Sequence, residues 1–237
     1  MKPIYRRVLI KLSGEALEGS QESGIHPETL EAVASELAEV SRLGVQLALV
    51  LGGGNIFRGL AGSASGMDRP TADAMGMLAT VINCLAVEDA LRRQGVAACT
   101  FSALPVGAAA EPFSRREALK CLDRGEVVVL GAGTGNPYFT TDSAAALRAL
   151  ELDADALFKG TKVDGIYDKD PNLHDDARRF SSLSYDEILS RKLRVMDLTA
   201  VTLCQENQMP LQVFNMQVAG NIKRVIVGED VGTRVVQ

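Results

Sequence analysis

The chain has 237 residues, 46% of them hydrophobic and 23% charged, which supplies enough apolar material for a sizeable core in one large α/β domain or two small ones. A net charge of −5 argues against a broad nucleic-acid surface, but a local cluster of cations and backbone N–H groups could still hold a small anion. No uninterrupted apolar run approaches the roughly 18 residues of a membrane span, and the first residues, MKPIYRRVLIKLSGEA, turn charged before a signal-peptide core develops, so a cytosolic protein without a membrane partner is expected.

Apolar, β-branched runs alternate with helical patterns along the chain. Arg7–Leu12 reads as a first strand. Pro27–Leu43 reads as a helix, because Pro27 suits a first turn, Leu30, Val33, Leu37 and Val40 recur at helical spacing, and Gly44 ends it. Val45–Leu51 is an unbroken apolar run suited to a buried parallel strand. Gly62–Gly66 reads as a flexible loop. Thr71–Gln94 is a long helix whose apolar residues (Met75, Met77, Leu78, Val81, Ile82, Leu85, Leu91) run nearly all round it, so it is expected deep in the fold or against another subunit.

Val96–Phe101, Val127–Leu130, Ala156–Lys159, Leu211–Phe214 and Val225–Val227 read as further strands. Arg115–Arg124, Asp142–Glu151, Ser184–Ser190 and Asp197–Gln208 read as helices, with Ser184 and Asp197 as N-caps. The polar stretch Asp168–Arg179 is expected to be a mobile loop. The alternation predicts a doubly wound, mostly parallel sheet with helices on both faces, in a single domain spanning 1–237.

Ligands of such sheets sit beyond the carboxyl ends of the strands. Four of those ends carry KLSGEA, LGGGNIFRG, GAGTGNPYFTTDSA and KGTKVDGIYDKDP, all rich in Gly, Lys, Asp, Ser and Thr. Gly52–Gly54 could be a phosphate seat or a plain turn. Arg58 on the same loop, and Lys11 ahead of Ser13 and Gly14, could supply positive charge; Lys11 could equally be a surface lysine before a turn. Gly131–Thr141 offers hydroxyls at Thr134, Thr140 and Thr141, the Asn136 amide, and donors near a helix start. Tyr167 could stack on a base while Thr161 and Asp170 bond a ribose or purine edge, or the segment could be a solvated turn.

Taken together, the loops describe two anionic ligands facing each other across a lysine, a geometry suited to phosphoryl transfer. Only two histidines, His26 and His174, are present, and the four cysteines, Cys84, Cys99, Cys121 and Cys204, form no C-x-x-C pair and read as buried small residues. A His-centred mechanism and a His-rich metal site are therefore not expected.

The segments KLSGEAL from Lys11, GGGNIFRG from Gly52, MGMLAT from Met75, GTGNPYFTTDSAA from Gly133, TKVDGIY from Thr161 and VMDLTA from Val195 resemble the bacterial uridylate kinases, a branch of the amino acid kinase superfamily, along nearly the whole chain. The resemblance implies an amino acid kinase-like fold and phosphoryl transfer from ATP, carried with Mg2+, to UMP in pyrimidine nucleotide (CTP) biosynthesis. It implies ATP-phosphate contacts from Lys11, Leu12, Ser13 and Gly14, with Gly54 and Arg58 on the phosphates between the nucleotides. Thr161, Tyr167 and Asp170 would hold the ATP nucleoside. Gly53, Asp73 (on the ribose), Thr134, Gly135, Asn136, Pro137, Tyr138, Phe139, Thr140 and Thr141 would hold UMP. Asp142 and Asp197 would orient lysines or magnesium, and Lys159 would be a second cationic stabiliser. The family implies a cytoplasmic homohexamer activated by GTP and inhibited by UTP, with Gly19, Ser20, Gln21, Glu22, Ser23 and Gly24 at the position of its GTP-linked Gly-rich segment; here the middle of that segment is poorer in glycine.

Two other readings keep the fold. One is an acyl-phosphate-forming kinase acting on glutamate, N-acetylglutamate or carbamate, which the Thr134–Thr141 run argues against. The other is a non-catalytic nucleotide sensor or oxyanion-storage relative, which the loss of Lys11 or Arg58 would have favoured.

Overall fold

The computed structural model describes residues 2–19, 21, 23–57, 66–171, 173–193 and 195–236. The strands are β1 (Arg7–Leu12), β2 (Gln46–Leu51), β3 (Ala98–Ser102), β4 (Glu111–Pro112), β5 (Val127–Gly131), β6 (Ala156–Thr161), β7 (Ser182–Ser184), β8 (Leu211–Asn215) and β9 (Thr233–Val236). The α-helices are α1 (Pro27–Arg42), α2 (Arg69–Arg93), α3 (Arg115–Asp123), α4 (Thr141–Glu151), α5 (Tyr185–Ser190), α6 (Leu198–Glu206) and α7 (Asn221–Ile226). Among the described residues the strands form one sheet in the order β4-β3-β5-β2-β1-β6-β8-β9-β7, parallel except for the β8–β9 pair.

The central strands are buried on both faces, and their side chains alternate between two core layers. Val8, Ile10 and Leu12 of β1, Leu47, Leu49 and Leu51 of β2 and Phe158 of β6 pack with α1, α2 and α7. Leu9, Ala48, Val50, Val128, Leu130 and Leu157 pack with α3, α4, α5 and α6. A period of two in the strands therefore builds the two helical layers, the doubly wound architecture expected of a parallel sheet. From β1 the chain passes to β2, crosses out to β3 and β4 at the edge, returns to place β5 between β3 and β2, and then lays β6 on the other side of β1. That reversal beside β1 opens a crevice at the carboxyl ends of the strands.

Most predicted elements are found within a residue or two of their expected ends. Val225–Val227 is different: Val225 and Ile226 belong to α7, not to a strand. The β-branched run misleads, because Gly220 and Gly228, both at positive φ, bracket a short helix whose Ile222, Val225 and Ile226 share one buried face. Strands β4, β7 and β9 were not anticipated; each is short or lies at the edge of the sheet.

Helix α2 is long and apolar enough to cross a membrane, although no uninterrupted run marked it, because Thr, Asn and Gly are scattered through it where charges would otherwise fall. Half of that stretch is buried inside the fold. Cys84, Val87, Ala90 and Leu91 enter the core, whereas Met75, Leu78 and Ile82 are 39%, 46% and 51% exposed along one stripe. Within Gly62–Gly66, residues 62–65 lie outside the described residues. Cys84, Cys121 and Cys204 are buried, Cys99 is partly so, and all four are unbridged.

Candidate functional site

Parallel pairing puts Lys11 of β1 directly beside Lys159 of β6. Two ammonium groups side by side on one face of a sheet repel unless an anion joins them. Asp142, in the first turn of α4, does so: Lys11 Nζ lies 2.8 Å from its Oδ1, and Lys159 Nζ donates to its Oδ2 at 2.7 Å. The three side chains are only 11–15% exposed. Burial pushes the Asp142 carboxyl up, but the Lys11 and Lys159 ammonium groups pull it down further, so it stays ionised below the usual carboxylate range. Burial also lowers Lys159 from the ordinary lysine value, against the pull of Asp142. Two cations share one carboxylate, so the triad carries net positive charge, which is what an incoming phosphate needs.

Asp197 touches neither lysine. As the N-cap of α6 it accepts from Ala200 N at 3.0 Å, and it also accepts from Ser143 N at 3.1 Å, Ser143 Oγ at 2.8 Å and the Thr140 hydroxyl. Thr140 in turn caps α4, its Oγ1 accepting from Asp142 N at 3.0 Å. The charge of Asp197 is thus spent on two helix N-termini, and it fixes the turn that presents Asp142. Lys159 Nζ is held from its other side by Val195 O at 2.6 Å, in the loop leading to Asp197.

Two clefts open near this triad, one lined by Thr140 and Thr141 next to Asp142 and the other by Lys159, while Lys11 and Asp142 themselves line neither. The first, of about 540 Å³, is lined by Gly53, Gly54, Asp73, Thr134, Asn136, Phe139, Thr140 and Thr141 among the residues singled out above. Glu15, Phe57, Arg69, Gly76, Met77, Thr80 and Gly133 also line it, and the sequence reading did not pick them out as site residues. A signal was present: Arg69, Asp73, Gly76, Thr80 and Asn83 recur at helical spacing as a polar and small-residue stripe on α2. Asp73 already has partners, since Arg69 Nε lies 2.8–2.9 Å from its two oxygens and Tyr138 N donates at 2.7 Å. That bond holds Tyr138 at φ 71°, an uncommon backbone for a tyrosine, with its ring under the Arg69 guanidinium. Tyr138, Gly135 and Pro137 do not line the cleft itself.

The second cleft, of about 530 Å³, is lined by Lys159, Thr161, Tyr167 and Asp170, together with Gly165, Asp168, Arg191, Leu193 and Val195. Thr161 Oγ1 donates to Val163 O and accepts from Val163 N, which shapes the turn after β6, and the Tyr167 hydroxyl donates to Asp164. The Asp168–Arg179 stretch is tied at its ends by a Tyr167–Arg179 bridge and inside by a Lys169–Asp176 ion pair.

Beside the first cleft the loops after β1 and β2 meet backbone to backbone. A Cβ on Gly14 would stand 2.8 Å from Gly52 O and 2.9 Å from Gly54 N, and one on Gly53 would stand 2.9 Å from the Ala79 side chain and from Gly76 O on α2. Only glycine permits such contact. The Leu12 side chain is fully buried in the core and its carbonyl accepts from Gly52 N, so this residue reaches the site through backbone alone. Ser13 precedes the short 3-10 turn Gly14–Ala16. Arg58, Ser20 and Glu22 lie outside the described residues. Of the rest of Gly19–Gly24, Gly24 exchanges hydrogen bonds with Asn55 of the glycine loop.

Asp142 does not fit the role of a metal ligand, because both of its oxygens already face lysine ammonium groups. Among the described residues one group has metal-ligand spacing: Cys99, Cys121 and Glu126 have donor atoms within 4.8 Å of one another. The Arg124 guanidinium already bonds both Glu126 oxygens and Cys121 Sγ there, so a cation occupies the cluster.

Residues 6–215 match the amino acid kinase family. Across 98% of its length the chain is similar to the UMP kinase of Bacillus anthracis (36% identity, TM-score 0.94, 96% of that chain). It is similar throughout to the UMP kinase of Ureaplasma parvum (37% identity, TM-score 0.93, 100% of both chains). It is similar over 97% of its length to the uridylate kinase of Archaeoglobus fulgidus (28% identity, TM-score 0.75, 99% of that chain). With the parallel sheet, the crevice at its switch point and the paired lysines in view, the chain belongs to the amino acid kinase family and is a kinase.

Proposed function

We propose that this kinase transfers the terminal phosphoryl group of ATP to UMP, giving ADP and UDP, as a step of pyrimidine nucleotide biosynthesis. The observation that carries the reading is the Lys11–Asp142–Lys159 triad next to two clefts of nearly equal volume, one lined by Thr140 and Thr141 beside Asp142 and the other by Lys159, each large enough for a nucleotide. UMP occupies the first cleft, with Asp73 on its ribose and the Gly133–Thr141 loop around its base. The nucleoside of ATP occupies the second, between Tyr167, Thr161 and Asp170. The two phosphate chains meet over Lys11 and Lys159, beside the glycine backbones of the loops after β1 and β2, with Arg58 adding charge from the same loop.

The acceptor needs no general base, because the second ionisation of a phosphate monoester falls near pH 6 and its oxygen is already an anion at neutral pH. That oxygen bonds to the γ-phosphorus as the bond to the β-phosphate oxygen breaks. Catalysis is then alignment and neutralisation of the charge spread over the moving group. Lys11 and Lys159 supply fixed positive charge there, Asp142 keeps them together, and Asp197 holds the turn that carries Asp142. Mg2+ carried by ATP would lower the charge on its phosphates.

The outward stripe of α2 supports a homohexamer assembled through that helix. GTP activation, with Gly19–Gly24 as its segment, UTP inhibition and a cytoplasmic location complete the reading. An acceptor panel tests it: with ATP and Mg2+, product analysis is expected to show UDP from UMP and little from CMP. Phosphorylation of glutamate, N-acetylglutamate or carbamate in place of UMP would overturn it.

A further inference from the structure

The glycines that bring the phosphate-bearing loop close to its neighbours also strip it of side chains that could hold it in place. The structure answers that problem with two buried amides. Asn83 on α2 is fully buried and Asn55, next to Gly54, is 2% exposed. Asn83 Nδ2 donates to Gly52 O at 2.7 Å and to Asn55 Oδ1 at 2.7 Å. Asn55 Nδ2 donates to Gly24 O at 2.8 Å and to Asn83 Oδ1 at 3.1 Å. Each amide has two N–H donors, and all four are used. The carbonyls of Gly52 and Gly24 can only accept, so they fix which end of each amide is nitrogen.

We propose that the Asn55–Asn83 amide pair is the positioning device for the Gly52–Gly54 loop, setting the direction of its peptide groups toward the transferring phosphate; this rests on the phosphoryl-transfer reading above. An apolar pair could fill the same volume but would take these donors away from Gly52 O and Gly24 O, so the polar pair here serves geometry rather than bulk. What it grips is specific. Gly52 O is the last acceptor before Gly53 and Gly54, which line the first cleft. Asn55 lies immediately after them, so the two-glycine stretch is pinned at both ends by one reciprocal bond. The same inner face of α2 anchors two further parts of the cleft, since Thr80 Oγ1 accepts from Ala132 N at 2.7 Å and Asp73 accepts from Tyr138 N. One helix therefore sets the relative position of the glycine loop and the loop after β5.

Neither asparagine touches the clefts, so they act through the loop and their effect belongs on turnover. The test compares Asn83→Asp, which replaces the donor with an oxygen facing two oxygens, and the milder Asn83→Ser with Cys84→Ala, a change at the adjacent buried core residue that touches no loop polar group. Steady-state kinetics with ATP and UMP and thermal midpoints are measured for all of them. Both Asn83 variants are expected to lose about 10- to 100-fold in kcat, the scale of an ångström-level misplacement, with each KM changed by no more than about threefold. Cys84→Ala is expected to lower the midpoint about as far as Asn83→Ser, and less than Asn83→Asp with its buried carboxylate, while keeping kcat within about twofold of wild type. Retained kcat in both Asn83 variants, or loss of kcat in Cys84→Ala to match its lower midpoint, overturns the assignment. Wild-type protein that releases no ADP in response to UMP overturns the phosphoryl-transfer reading itself, an outcome separable because no variant is involved.

Discussion

At the scale of single residues, the triad joins charge, burial and function. In the proposed reaction the triad's positive charge would meet phosphates already partly neutralised in the ground state, and in the transition state would meet charge developing on the moving group and stabilise it more. Lys11→Met is therefore expected to lower kcat about 100- to 1,000-fold, roughly 2.7–4 kcal/mol, with a much smaller change in the KM for UMP, as steady-state kinetics would show. Lys11→Arg should recover little, because a planar fork does not replace a point charge seated on Asp142 Oδ1. Asp142 makes a separate stability prediction. Its folded pKa lies below the unfolded carboxylate value of about 3.9, so its contribution is complete above that pH and lost as pH falls through the folded pKa. Asp142→Asn leaves two buried ammonium groups without their carboxylate and should cost about 3–5 kcal/mol at neutral pH. The gap between wild type and variant in thermal unfolding should hold steady from pH 7 to about 4 and begin to narrow only below that; a gap that already closes between pH 7 and 5 would count against the ionised triad. Asp73 is tested through the acceptor. If it bonds a ribose hydroxyl while holding Tyr138, deoxy-UMP should show about 10- to 100-fold lower kcat/KM than UMP. Equal values would leave Asp73 the loop-holding role alone.

At the scale of elements, helix starts place the chemistry. Asp197 caps α6 and fastens the Thr140–Ser143 turn of α4, so Asp197→Ala removes acceptors from two helix N-termini at once. Denaturant unfolding should show a loss of about 1–2 kcal/mol for the cap itself, and kcat should fall because the turn bearing Asp142 loosens. Unchanged kcat with lowered stability would confine Asp197 to folding. The central strands and the caps at Ser184 and Asp197 were legible in the sequence, because unbroken apolar runs and Ser or Asp before a periodic stretch have local causes. Strand β9 was not legible: its place depends on antiparallel pairing with β8 and parallel pairing with β7 at the sheet edge, neither of which leaves a local pattern. The run Val225–Val227 misled because β-branched composition was weighed above the two flanking glycines. Within the site, Lys11, Asp142 and Lys159 could each be singled out, but not their contact, which is a matter of strand register. The pairing of Asn55 with Asn83 left no signal, because the two are 28 residues apart and Asn83 read only as part of the polar stripe on α2.

At the scale of the whole molecule, α2 faces three ways. One face is core, one carries the Arg69, Asp73, Gly76, Thr80 and Asn83 stripe toward the site, and one presents Met75, Leu78 and Ile82 outward. In the proposed hexamer, an apolar stripe beside the residues that line the cleft would join assembly to activity through one helix. Light scattering at micromolar concentration should show a hexamer, and Leu78→Glu combined with Ile82→Glu should yield smaller species; a monomeric wild type would remove the interface reading. The account's central claim is that two substrate clefts share one cationic bridge, so that ATP is spent only when an acceptor lies opposite it. The most direct test is the rate of ADP release by wild-type protein with ATP and Mg2+, measured with and without UMP. The account predicts negligible release alone and rapid, saturable release with UMP, matched mole for mole by UDP. ADP release at the same rate in both conditions, or none in either, would contradict it.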